Sequence, residues 1–131
     1  MVYRKGHIKL LEMGVFDMDR SVEEKIVAMI ESAETPEEKD FWELSYDLYK
    51  SIEQMDDSSA LRIERDGAYL YIWKGKNSIQ FVNTEEKKVG TKEVGEAVVL
   101  SALFVRDGEK VNITVCPRSE ALQKKMEIMM S

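Results

Sequence analysis

Residues 60–82, ALRIERDGAYLYIWKGKNSIQFV, decide the fold. Asp66-Gly67 is a two-residue hairpin signal, because both central positions of the favoured turn need positive φ and these two residue types accept it. A turn there pairs Arg65 with Ala68, Ile63 with Leu70 and Leu61 with Ile72. Leu61, Ile63, Leu70 and Ile72 then form an apolar face. The opposite face takes Arg62, Glu64, Tyr69, Tyr71 and Trp73. A second turn over Lys74-Gly75-Lys76-Asn77 sets Trp73 against Ser78, Ile72 against Ile79 and Leu70 against Phe81. That register keeps Ile79 and Phe81 on the apolar face, whereas a slip of one residue would move them to the tyrosine face.

Upstream of this meander the apolar period changes to that of helices. Ser21 and Glu24 have capping-box spacing, and Val22, Ile26, Met29, Ile30 and Ala33 follow at helical intervals. A second helix starts at once: Thr35 caps, Pro36 suits the first helical position, and Glu38 is the capping-box acid. Phe41, Leu44, Leu48, Ile52 and Met55 make its stripe, with Trp42 and Tyr49 beside it. So short a connection predicts an antiparallel helical hairpin that ends near Asp56-Asp57-Ser58-Ser59. Within residues 1–19, the alternation in His7-Ile8-Lys9-Leu10 reads as a strand, while Ile8, Leu11 and the following Gly14 also suit a short helix with a glycine stop.

Downstream, TEEKKVGTKE at 84–93 reads as a loop or irregular connector. Residues 94–106, VGEAVVLSALFVR, form an apolar run rich in β-branched residues and read as a strand buried on much of both faces. Asp107-Gly108 supplies a second hairpin turn, which sets Phe104 against Val111, Ala102 against Ile113 and Leu100 against Val115. Pro117 ends that strand. Ser119 is placed to cap a last helix whose core stripe is Leu122, Met126 and Met129. The expected fold is α+β in a single domain over residues 1–131. It has an N-terminal helical hairpin, a five- to six-stranded mainly antiparallel sheet covered by helices on one face, and a C-terminal helix.

Composition narrows the function classes. The 131 residues carry a net charge of −6 and a single cysteine. Residues 20–57 hold 12 acidic and 4 basic side chains, a net of −8, which leaves +2 for the rest of the chain. A chain without a basic footprint is a poor binder of nucleic acid or anionic membranes. One cysteine excludes an internal disulfide framework and suits a reducing compartment. The longest apolar stretch, AVVLSALFV, is about half of what a membrane-spanning helix needs. A cytoplasmic protein that binds neither nucleic acid nor membrane is expected.

Catalytic signals are sparse. His7 is the lone histidine, so no histidine metal cluster can be built. Cys116, between Val115 and Pro117, reads as an inert buried thiol. Phosphate-loop, nucleophile-elbow and dinucleotide motifs are all missing. Asp40, Glu43 and Asp47 share a helix face but read better as a solvated acidic surface than as a divalent-cation site. The backbone at Pro117-Arg118-Ser119 is a weak anion site. Neither a cofactor nor a metal is expected.

The aromatic sheet face is the strongest binding candidate. Tyr and Trp supply much of the energy of interfaces, and an arginine beside them can stack on a ring or hold an anion. The expected binding residues are Arg62, Tyr69, Tyr71, Trp73 and Lys74. They would serve a non-enzymatic interaction or regulatory protein, homodimeric, that takes a protein partner on this face or on the acidic helical hairpin. The alternative is a pocket at the sheet for a small anionic, nucleotide-like ligand. The plain reading is that aromatics favour strands and pair across them.

The order helix, three strands, connector, two strands, helix over about residues 36–130 resembles that of type III secretion chaperones. These are small, acidic, dimeric proteins that hold a partner polypeptide in extended form. The likeness is one of element order and acidity, and the leading helical hairpin departs from it.

Overall fold

The computed structural model describes residues 20–131. The strand expected at residues 7–10 lies outside the described residues. Two helices come first, α1 (Arg20–Ser32) and α2 (Pro36–Gln54). Ser21, expected as a cap, already lies inside α1. The start of α2 follows its sequence signals. Thr35 Oγ1 accepts the Glu38 N–H at 3.1 Å, and Glu38 Oε2 reaches back to the Glu34 N–H at 3.3 Å. The two helices pack on each other, and Glu23 of α1 takes the Tyr46 hydroxyl at 2.9 Å and Lys50 Nζ at 3.3 Å. Trp42 and Tyr49, placed beside the stripe by spacing, are fully buried in the core.

Strands β1 (Ser59–Arg65) and β2 (Ala68–Lys74) pair in the expected register, Leu61 with Ile72, Ile63 with Leu70 and Arg65 with Ala68. Asp66 and Gly67 take φ of +49° and +89°, the mirror-image turn that two-residue hairpins require. The next pairing differs. Lys74 stays in the strand and pairs with Ile79 of β3 (Ile79–Asn83), so Ile72 meets Phe81 and Leu70 meets Asn83. The turn is Gly75–Ser78, closed by the Gly75 N–H on Ser78 O at 2.7 Å. The register is thus displaced by two residues. Because side chains alternate with period two, Ile79 and Phe81 still share a face with Ile72.

Two larger differences follow. Residues 88–92 are not a connector but strand β4 (Lys88–Lys92), paired with β3 so that Gly90 lies opposite Phe81. A Cβ on Gly90 would stand 3.1 Å from the Phe81 ring. The glycine that weakens the strand signal is therefore what lets the ring lie against β4. Residues 94–106 are not a strand but helix α3 (Val94–Arg106). A helix pressed between other layers is apolar nearly all round and shows no amphipathic period. Its length, 13 residues, already exceeded an ordinary strand. Asp107-Gly108 consequently closes a helix rather than a hairpin: the Asp107 N–H bonds to Leu103 O at 3.1 Å.

The chain leaves α3 into β5 (Val111–Pro117), which pairs antiparallel with β1 and not with residues 94–106. Among the described residues the sheet is five-stranded and antiparallel throughout, in the order β4-β3-β2-β1-β5. Helix α3 must therefore carry the chain from one edge to the other. Four strand spacings amount to about 19 Å, and a 13-residue helix is about 19.5 Å long. Helix α3 touches β1, β2 and β3 and packs against α2. The last helix, α4 (Arg118–Met130), touches all five strands. It lies on the face of Arg62 and Tyr71, both of which bond to its Glu120. Helices thus cover both faces of the sheet. The element order behind the resemblance to type III secretion chaperones is not the observed one, since its connector is a strand and its fourth strand a helix. Among the described residues, no helix is long and apolar enough to cross a membrane.

Candidate functional site

Sheet burial separates the five expected binding residues. Tyr71 and Trp73 retain 2% and 3% of their surface and belong to the core. Lys74 sits at the far end of β2, where its Nζ bonds to Glu53 O of α2 at 3.2 Å. Arg62, Tyr69 and Tyr71 come together in a cavity of about 340 Å³ under α4. Helix α4 closes it with Glu120, Gln123, Lys124 and Glu127.

One carboxylate organises this cavity. Glu120 Oε2 accepts the Tyr71 hydroxyl at 2.7 Å and Arg62 Nη1 at 2.7 Å, while Arg62 Nε donates to Thr114 Oγ1 of β5 at 3.3 Å. Tyr69 stacks on Tyr71 with ring centroids 6.0 Å apart and planes 24° apart. The Tyr71 hydroxyl, then Arg62, hold Glu120 below the usual carboxylate range. Burial, reinforced by Glu120, pushes the Tyr71 phenol up, so it stays a hydrogen-bond donor. Nearby Cys116 is buried and its thiol is pushed up by desolvation, which keeps it protonated and a poor nucleophile. The lining sets Arg62 and Lys124 against Glu120 and Glu127. The wall thus carries both signs of charge.

The inward side of α4 is not the one that the Leu122, Met126 and Met129 spacing predicts. Ala121 is its buried residue, Ile128 packs against the core, and Leu122, Met126 and Met129 point outward. An arginine and a tyrosine hydroxyl under a helix need polar partners, and a small residue lets the helix approach closely. Glu120 answers the first need and Ala121 the second, so the stripe faces away. Ser119 does not cap α4; Pro117 occupies the cap position without a side-chain bond. The acids Asp40, Glu43 and Asp47 are exposed on α2. Among the described residues, no group of acids, histidine and cysteine is arranged to hold a metal ion.

No family model, no curated protein and no solved structure matches the chain.

Proposed function

We propose that the chain is a non-enzymatic interaction protein that works as a homodimer and holds a protein partner on the outer face of α4. One observation carries this reading. The exposed large apolar side chains among the described residues all lie on the last two elements, Ile113 and Val115 on β5 and Leu122, Met126, Met129 and Met130 on α4. Ile113 and Val115 share the sheet face of Ile63 and Leu61, away from α4, so the four on α4 carry the reading: apolar side chains grouped on one element mark a contact site, whereas single scattered residues do not. Leu122, Met126 and Met129 recur at the spacing of one helix face, and flexible thioethers adapt to a partner's apolar groove or helix. The contact surface thereby moves from the sheet aromatics, two of which are covered, to the elements that follow them. A photo-crosslinking side chain at Met126 should give a discrete adduct that disappears in Met129→Lys, while the same probe at Asp47 gives none. Identical adducts from both positions would sink the proposal.

The cavity under α4 supports a second reading, a small-molecule binder, because it gathers Arg62, Tyr69 and Tyr71 in one place. A zwitterionic metabolite that fills it should raise the melting temperature of the parent by mass action and leave Arg62→Ala unmoved. Equal shifts in both proteins would exclude this cavity.

A further inference from the structure

We propose that a second copy of the chain pairs with the β5 edge, which is unpaired among the described residues, strand antiparallel to strand about a two-fold axis at Ile113, so that two five-stranded sheets become one of ten. This deepens the homodimeric reading above and rests on it.

The two edges of the sheet are unlike. The β4 edge, KVGTK, has a lysine at each end and a glycine in the middle. Such residues discourage edge-to-edge pairing. The β5 edge, VNITVCP, has seven residues without a charge. On it Ile113 is 39% and Val115 is 63% exposed. A long, uncharged, apolar edge left open is a template for another strand. In a chain of net charge −6, two copies repel in general. The uncharged β5 edge is where they meet with least repulsion.

Backbone direction gives the register. The Asp66 N–H bonds to Lys110 O at 3.0 Å, and the Arg118 N–H to Ser58 O at 2.8 Å, at the two ends of the β1–β5 ladder. Residues alternate along an antiparallel ladder, so Asn112, Thr114 and Cys116 also turn their backbone groups to β1. Val111, Ile113 and Val115 turn theirs outward. A two-fold at Ile113 sets Ile113 against Ile113 of the second copy and Val111 against its Val115. Every outward N–H and C=O of these three residues then finds a partner. Their side chains share a sheet face and make an unbroken apolar ladder across the junction. Moving the axis to Thr114 would call on Pro117, which has no N–H, and would set Lys110 opposite Arg118. The axis at Ile113 keeps Pro117 out of the hydrogen-bonded core of the junction and sets Lys110 opposite Cys116 of the second copy instead of opposite Arg118.

Light scattering of the whole chain over a wide dilution range, with two variants, tests this. The parent should be a dimer. Ile113→Lys puts two ammonium groups face to face and should raise Kd by about a hundredfold or more. Because Ile113 is exposed in the monomer, the variant should keep the parent's far-ultraviolet circular dichroism. Ile113→Cys tests the register without adding charge. Hydrogen-bonded antiparallel neighbours have Cα atoms about 5.5 Å apart, inside the disulfide window of about 4.4–6.8 Å. Mild oxidation should therefore link Ile113→Cys into a covalent dimer. It should not link Val115→Cys, whose counterpart lies about 14 Å along the strand. A dimer that survives Ile113→Lys and fails to cross-link through Ile113→Cys overturns the β5 junction but leaves the homodimer standing. A parent that is monomeric at every concentration overturns both.

Discussion

Trp73 faces the same side of the sheet as Tyr69 and Tyr71, and alternation alone puts it where polar side chains belong. Its burial to 3% makes it core. Removing a buried indole leaves a cavity that its surroundings fill incompletely, at a cost of about 3–5 kcal/mol. Trp73→Ala should therefore lower the urea midpoint strongly, whatever it does to association. An unchanged midpoint would show that this face is not core. Gly108 illustrates a constraint of another kind. A Cβ there would overlap the stem of Arg65, whose guanidinium lies 4.1 Å from the Phe104 ring and donates to Phe104 O at 3.3 Å. Arg65 also pairs with Glu85, so one side chain of β1 ties the end of α3 to the turn before β4.

Helix α4 shows how one residue can orient an element. Its apolar stripe would pull it over, yet Glu120 holds it by two bonds to the sheet face. The ionised carboxylate carries those bonds. Its folded pKa lies below its unfolded value, near 4.3, so its contribution is complete above that value and is lost as pH falls through the folded pKa. The side chain is 35% exposed and water screens it, which limits the effect to about 1 kcal/mol. Glu120→Gln should melt lower than the parent at pH 7, and the gap should close between about pH 5 and pH 3. Parallel melting curves across that range would mean that another group pins the helix. Asp66 behaves in the same direction. Its carboxylate accepts the N–H groups of Lys110 at 2.9 Å and Glu109 at 3.2 Å and is held low by them.

At the scale of the molecule, the sheet is sandwiched between α2 and α3 on one face and α4 on the other, with α1 stacked on α2. Two-sided cover explains why the aromatics are buried, and it leaves apolar surface at the rim and on the outside of the last helix. The acidic hairpin and the apolar surface thus lie on different elements. In the proposed dimer the two copies meet along β5 and the acidic helices stay in water.

Much of this was local and therefore legible in residues alone. Thr35-Pro36-Glu38 started α2, and Asp66-Gly67 set both the turn and the β1–β2 register, because caps and tight turns are decided by the few residues that form them. The α+β class and the all-antiparallel meander followed from the same short-range chemistry. Three things belonged to the tertiary structure. Residues 94–106 are helical because they must span the sheet between its edges, and a helix buried on most sides carries no period to read. Strand β4 pairs with β3 although its sequence is polar and carries Gly90, and what makes that glycine fit is the Phe81 ring on the facing strand. The partner of β5 is β1, a pairing across some fifty residues that no local pattern encodes. From it follow the cavity under α4, the outward methionines and the open β5 edge, since each depends on which surfaces meet and not on which residues adjoin.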